Sequence, residues 1–247
     1  MSYNFTVTRD QLILAVLRKL GQIEPGDTID TVDPTIVENA SFNLNLLVKY
    51  LMTKGIKLWT IQDLTIPLVA DQFAYTILED TIVVGEIDEP KPIKVIQAFL
   101  RNTSVDPELD IPVQLISRNQ YDFLSSKYTT GTPNSLYVNE QRTSTILNVW
   151  PVPDTTIATD YELHLTQQRP IADINDNADI IDFPNEWYNT LVWVLADDIA
   201  IEFEVPANHR AEIAAKAAMY KEELEGWDVE YTSTYFQVDM RPAARRG

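Results

Sequence analysis

Apolar positions recur at spacings of three and four residues in four stretches of the chain, a pattern that predicts amphipathic helices. The predicted helices cover residues 8–20, 34–54, 182–204 and 207–225. Thr8 and Gln11 have the spacing of a capping box at the start of the first helix. Asp33 caps the second helix, and Pro34 takes its first position, where a missing N–H costs nothing. These stretches therefore combine an apolar face with suitable terminal residues.

Between the second and third predicted helices, the pattern changes to short runs of β-branched and aromatic residues, which favour strands. The predicted strands cover residues 56–66, 68–78, 93–101, 111–116, 134–139, 145–150 and 160–168. Pro112 predicts that its strand lies at a sheet edge, because proline has no N–H to donate. Ser117 and Gln120 repeat the capping-box spacing and predict one short helix within this region. We interpret residues 57–168 as an antiparallel, β-rich insert.

These elements predict an α+β fold, namely a helical bundle of about four helices with an inserted antiparallel β-rich domain and an extended C-terminal tail. The predicted helical domain comprises residues 1–56 and 182–227, and the insertion domain comprises residues 57–181. Residues 228–247 form the predicted tail, since they show no clear periodicity and end in a basic stretch.

The third predicted helix is expected to organise the fold, because apolar residues populate almost all of its faces. Pro184 suits its first turn, and Asp182 precedes it as a cap. A helix of this kind is buried, either in a core or between subunits. Asp197 and Asp198 lie about 100° apart on the helix and cannot converge on one substrate, so we interpret them as structural or interfacial. The candidate subunit-interface residues are Trp187, Trp193, Asp197, Asp198 and Trp227.

Composition narrows the class of protein. The 247 residues include no cysteine, which excludes disulfides, thiolate nucleophiles and cysteine-bound zinc. The 37 acidic and 19 basic residues give a net charge of −18. An acidic surface does not grip the DNA backbone but could let DNA slide past, and the alternative explanation is solubility with repulsion between monomers. No signal peptide is visible and no apolar run approaches about 20 residues, so we expect no membrane contact.

The sequence contains no pattern typical of an enzyme or a cofactor site. His164 and His209 are too separate for a metal site of the His-Glu-x-x-His type. Neither a Gly-x-Ser-x-Gly elbow nor a glycine-rich phosphate loop is present. The loop acids Asp173, Asp176 and Asp179 lack the alternate spacing and the glycine of a calcium-binding loop. We therefore predict no catalytic residue, no cofactor and no metal ligand.

The C-terminal tail combines aromatic and basic residues. An extended segment has no core of its own, so we interpret its aromatic side chains as anchors for another protein. The alternative is that the tail folds back on its own domain. Three arginines are few for binding nucleic acid. The residues concerned are Tyr231, Tyr235, Phe236, Arg241, Arg245 and Arg246.

Several short motifs along residues 8–225 resemble those of one protein family. They are Leu17-Arg18-Lys19-Leu20-Gly21, Leu44-Asn45-Leu46-Leu47-Val48, Gly55-Ile56-Lys57-Leu58-Trp59, Ile116-Ser117-Arg118-Asn119-Gln120-Tyr121, Gly131-Thr132-Pro133, Val149-Trp150-Pro151-Val152-Pro153, Asp182-Phe183-Pro184-Asn185-Glu186-Trp187 and Leu195-Ala196. In this order they resemble the head-to-tail adaptors of short-tailed bacteriophages, also called tail tube or tail accessory proteins. The Phe-Pro-x-Glu-Trp and Trp-Pro-x-Pro motifs carry most of the resemblance.

The resemblance implies a structural protein of the virion tail or neck, made in the cytoplasm of a bacterial host. Such adaptors form a homo-oligomeric ring, usually dodecameric, beneath the portal protein. The ring extends the channel through which DNA passes without specific binding, and it is a platform for the next tail component, such as a nozzle, fibre or spike. The resemblance also implies that the six tail residues named above contact the portal. The acidic loops 79–90 and 171–182 are candidates for the channel wall, as is the third helix.

Two alternatives stay open. The chain could be another structural component of a phage tail, which the partner that co-purifies with it would distinguish. It could instead be a cell-wall-degrading hydrolase that uses Asp or Glu, although no pair of carboxylates in the sequence is selected by its spacing.

Overall fold

A seven-stranded sheet and six α-helices make up the part of the chain that the computed structural model describes, namely residues 5–24, 26–54, 58–78 and 90–227. The helices are α1 (Arg9–Leu20), α2 (Pro34–Met52), α3 (Arg118–Asp122), α4 (Thr155–Asp160), α5 (Tyr188–Ile199) and α6 (Ala207–Trp227). The strands are β1 (Ile61–Pro67), β2 (Ala74–Leu78), β3 (Lys94–Asn102), β4 (Leu109–Ile116), β5 (Ser135–Glu140), β6 (Ser144–Trp150) and β7 (Tyr161–Gln168).

Three helices begin at the residues that the sequence predicts. The Thr8 hydroxyl accepts the backbone N–H of Gln11 at the start of α1, and the Gln11 side chain accepts the N–H of Thr8 in return. Ser117 and Gln120 form the same reciprocal pair ahead of α3. The Asp33 carboxylate accepts a backbone N–H from the first turn of α2. The predicted starts of these helices are confirmed.

The sheet is mixed, so the prediction of an antiparallel insert is wrong. Its strand order is β1-β7-β3-β4-β5-β6-β2, and β4 and β5 run parallel while the other neighbours run antiparallel. A parallel pair needs a crossover of a dozen or more residues, which a hairpin turn cannot supply. Residues 117–134, which include α3, are long enough for that crossover.

Pro112 lies in an interior strand, so the prediction that its strand is a sheet edge is also wrong. β4 pairs with β3 over residues 109–113 and with β5 only from Gln114 onwards. Pro112 opposes Phe99 of β3 but has no partner in β5. The missing N–H of Pro112 therefore costs no hydrogen bond on the β5 side. Pro112 is tolerated here as it would be in an edge strand, although β4 is an interior strand.

The sheet must curl because its two edge strands, β1 and β2, follow each other in the chain. Seven flat strands would separate the edges by about 29 Å at the usual spacing of neighbouring strands. The seven residue steps from Pro67 to Ala74 span at most about 25 Å when fully extended. Residues 70–71 also form a turn, which shortens this connection further. The sheet therefore bends its edges towards each other and encloses a core of its own, centred on Leu100, Leu136, Leu147, Leu163 and Leu165.

The predicted bundle of about four helices is wrong, because a non-helical segment completes the helical core. Helix α5 contacts α1, α2 and α6. The same core contains four buried side chains from residues 170–183, namely Ile171, Ile174, Ile181 and Phe183. The four aspartates of this segment suggest a polar loop, yet three of its four isoleucines pack inwards, and only Ile180 is exposed. The fold is α+β, with a curled seven-stranded mixed sheet and six helices in the described residues.

The predicted helix over 182–204 is shorter and begins later. The carboxylate of Asp182 accepts two hydrogen bonds from the Arg169 guanidinium, at 2.5 and 2.9 Å, so it is not available as a cap. Pro184 is extended, and a 3₁₀ turn over Asn185–Trp187 leads into α5. Beyond α5, residues 200–204 continue as hydrogen-bonded turns.

The helical core and the sheet core meet at a small polar and aromatic junction. Arg169 follows β7 and pairs with Asp182 ahead of α5, while its guanidinium lies 6.0 Å from the Trp59 ring. The Trp59 ring in turn packs against Phe183, with 5.0 Å between the ring centroids. The division into domains at residues 57 and 182 stays a prediction, and the predicted tail over 228–247 lies outside the described residues.

Candidate functional site

A groove of about 610 Å³ opens between α2, α5 and α6. Each helix contributes one row of side chains at helical spacing, so the groove is built by the packing of the three helices on one another. Its lining residues are Asn43, Leu46, Leu47 and Tyr50 from α2, Val194, Asp197 and Asp198 from α5, and Ala214, Ala217, Ala218 and Lys221 from α6.

The α2 wall of the groove is apolar and open to solvent. Leu46 is 52% exposed and Tyr50 is 46% exposed, and Phe42, one turn before Leu46, is 63% exposed. These three residues are four apart and share one face of the helix. Isolated exposed apolar side chains are ordinary, but a row of three on one helix face is typical of a contact surface.

Alanine side chains keep the α6 wall thin and leave room for an occupant. Ala214, Ala217 and Ala218 present only methyl groups to the groove. Lys221, one turn further along α6, extends towards α2, and its ammonium lies 5.3 Å from the centre of the Tyr50 ring. The ammonium of Lys54 lies 4.7 Å from the same ring, so two cations flank Tyr50.

The α5 part of the groove is acidic. The apolar walls raise the pKa of the Asp198 carboxyl by partly desolvating its charged form, although the side chain keeps access to solvent. The neighbouring charge of Asp197 raises this pKa further, and the ammonium of Lys221 opposes the increase. The lysines Lys54 and Lys221 lie beside Tyr50 of α2, whereas both carboxylates lie on α5, so it is the α5 side of the groove that favours a cationic group of an occupant.

Trp193 lies between two lysines beside these acids in α5. The ammonium of Lys19 from α1 is 4.8 Å from its ring, and the ammonium of Lys216 from α6 is 4.7 Å away. Tyr220 stacks on the same indole at 6.4 Å between centroids. Trp193 therefore ties α1 and α6 to α5.

Trp187, which the sequence also predicts to lie at an interface, does not line the groove. Trp187 is 1% exposed and packs in the helical core, where its ring lies 5.9 Å from that of Phe183. Trp227 is the last residue of α6. The six predicted portal-contact residues lie beyond Trp227 and outside the described residues. Their roles, like those of the other interface residues, stay predictions.

The aspartates of the loop after β7 have structural partners. Asp173 forms an ion pair with Lys49 of α2. The carboxylate of Asp179 accepts the backbone N–H groups of Asn175 and Asp176, and so closes a turn. In the part of the chain that the structure describes, no three His, Asp or Glu side chains form a group that could hold a metal ion.

The histidine of the sheet has a packing role. The His164 ring stacks on Phe99 at 5.1 Å between centroids, and its Nδ1 lies 3.1 Å from the Thr65 hydroxyl. None of the described helices is long and apolar enough to cross a membrane. Of the groove residues, Asp197 and Asp198 are predicted from the sequence as interface residues, whereas Leu46, Tyr50 and Lys221 are not. The four-residue spacing from Phe42 to Tyr50 was the signal that could have found the α2 row.

No protein-family model matches the chain, and no curated protein matches it either. The described residues define an α+β protein with a groove between three helices. This groove has apolar walls and two acids.

Proposed function

We propose that the chain is a structural virion protein, a head-to-tail adaptor of a short-tailed bacteriophage. In this proposal, several copies form a ring beneath the portal, extend the DNA channel and provide the platform on which the tail assembles. The proposal begins from the motifs that resemble this family, and it includes no catalytic step.

The observation that carries the proposal is the row of exposed apolar residues on α2, which consists of Phe42, Leu46 and Tyr50. Complete burial of one large apolar side chain at a contact between copies contributes roughly 1.5–3 kcal/mol to the free energy of association. A row on one face, away from the core of its own chain, suits a heterologous contact in which one surface of each copy meets a different surface of the next.

The charge of the chain supports the same proposal. A net charge of −18 disfavours tight contact with the phosphate backbone, which a wall around moving DNA must avoid. The acids of loop 171–182 that pair with Lys49 and Arg169 are partly neutralised, so Asp176 is a better candidate for an exposed channel wall than Asp173 or Asp182.

The test is electron microscopy of the full-length chain mixed with its portal. We expect class averages with a ring attached to one face of the portal. We also expect Phe42→Ser to raise the protein concentration required for ring formation at least tenfold. Phe123→Ser is the matched control, because Phe123 is 80% exposed after α3 and lies outside the helical core.

Three results would count against the proposal. A chain that stays monomeric with the portal present is not an adaptor. If Phe42→Ser and Phe123→Ser affected ring formation equally, the α2 row would not be the interface between copies. Co-purification with a different tail protein instead of the portal would favour another tail component.

A further inference from the structure

The groove between α2, α5 and α6 is unfilled by the described residues and suits a segment with aromatic and basic side chains. We propose that in the free chain it binds the C-terminal segment of the same molecule, residues 228–247. The docking is a property of the free chain and does not rest on the adaptor role.

The chemistry of the segment complements that of the groove. Tyr235 and Phe236 offer two aromatic rings to the apolar wall formed by Leu46 and Tyr50. The segment as a whole balances three arginines against three acids, Asp228, Glu230 and Asp239, but all three arginines lie in its last seven positions, which contain no acidic residue. This basic end is therefore attracted to a strongly acidic body, and Asp197 and Asp198 supply the nearest carboxylates inside the groove.

The chain leaves the described fold at a point from which the segment reaches the groove. Trp227 ends α6, and Ala218 in the groove lies nine residues earlier, which is about 14 Å along the helix. Tyr235 follows Trp227 by eight residues, which can extend over about 26 Å. The aromatic residues can therefore turn back beside α6 without strain in the connection.

A tethered segment outcompetes the same segment on another molecule in dilute solution. A short flexible connection gives an effective concentration in the millimolar range, far above the micromolar concentration of a purified protein. The docked segment would cover Leu46 and Tyr50 in the free chain. If the adaptor proposal holds, removal of the segment by the portal would expose these residues for contact with the next copy.

The absence of cysteine from the sequence allows a direct test, because two introduced cysteines are then the only thiols. The test variant is the full-length chain with Tyr235→Cys and Ala218→Cys. The matched control has Tyr235→Cys and Met219→Cys, since Met219 is the next residue of α6, is 45% exposed and does not line the groove. Disulfide formation under mild oxidation, without the portal, is followed on non-reducing gels at micromolar protein.

We expect an intramolecular disulfide to form in the test variant at least tenfold faster than in the control. We also expect Asp197→Asn with Asp198→Asn to slow it several-fold, as should 1 M NaCl. Equal rates in the test variant and its control would overturn the proposal. A disulfide between two molecules would also overturn it, because the occupant would then belong to a second copy.

A second measurement guards against a loss of fold. Circular dichroism must be the same for the variants and the parent chain. An environment-sensitive fluorophore attached to a single Tyr235→Cys variant gives an independent optical signal, because the parent chain has no other thiol. The emission of this label should lie at shorter wavelength than that of the free label, and the Leu46→Glu substitution should reverse that shift. An emission shift that Leu46→Glu leaves unchanged would contradict docking in this groove. Failure of these tests leaves the ring experiment unaffected, so the two proposals are refuted separately.

Discussion

Asn45 of α2 provides the sharpest test of how the helical core is completed. Its side-chain amide donates to the carbonyl of Ile174 at 2.9 Å and accepts the N–H of the same residue at 3.0 Å. One side chain thus satisfies both backbone groups of a residue in the non-helical segment 170–183. We expect Asn45→Ala to loosen that segment and to lower the free energy of unfolding.

The magnitude follows from the two hydrogen bonds. Each contributes about 1 kcal/mol net, and the loss rises by a further 1–3 kcal/mol where water cannot replace the amide at a buried group. Alanine regains about 0.6 kcal/mol of helix propensity relative to asparagine. Since the side chain of Ile174 is 1% exposed, access of water to its backbone is poor, and the expected net loss is about 1.5–3 kcal/mol.

Asn43→Ala is the matched control. Asn43 lies on the same helix, but its amide bonds only to Asn39 one turn earlier, at an exposed position. We expect this substitution to change stability by less than about 0.5 kcal/mol. Urea denaturation followed by circular dichroism at 222 nm should shift the midpoint of Asn45→Ala downwards by about 0.5–1.5 M for a slope of 2–3 kcal/mol/M. Equal midpoints for the two variants would refute the assignment of residues 170–183 to the core.

Two further predictions concern carboxylates with shifted pKa values. The bidentate Arg169 guanidinium holds the pKa of Asp182 below its ordinary value of 3.8, so Asp182→Asn should cost about 1.5–3 kcal/mol at pH 7. That cost should shrink as the pH falls through the lowered pKa, because the unfolded chain takes up the proton first. A cost that urea titrations show to be independent of pH would contradict this prediction. The pKa of Asp198 is raised, so its charged form disfavours folding above that pKa. Asp198→Asn should therefore raise the thermal midpoint at pH 7 and lose this gain as the pH falls towards 3.8, whereas a lower midpoint at pH 7 would be the contrary result.

Local chemistry explains which elements could be predicted from the sequence. Thr8 with Gln11, and Ser117 with Gln120, act within one turn, so their spacing alone determines the hydrogen bonds that start α1 and α3. Gly21 ends α1 in the left-handed conformation, with φ of 73°, which glycine adopts without strain. These features depend on no partner distant in the chain.

The errors in the predicted fold arise where a distant partner decides the outcome. Asp182 has the sequence context of a helix cap, but Arg169 at the end of β7 binds its carboxylate instead. Pro112 predicts an edge strand, because the sequence does not show that β4 pairs with β5 only from Gln114 onwards. The parallel pairing itself is a property of strand order, which the pattern of apolar residues does not encode.

The groove illustrates the same limit and also what the sequence does contain. The core face of α2 consists of Ala40, Leu44, Leu47, Val48 and Leu51. Leu46 and Tyr50 lie about 100° round the helix from Leu47 and Leu51, so α2 carries a second apolar row that its own core does not use. A helix with one buried face needs one such row, and a second row indicates a second contact. The second row is therefore a signal in the sequence for a further contact of α2, and the acids of α5, the alanines of α6 and the basic end of the chain are the features from which we propose its occupant.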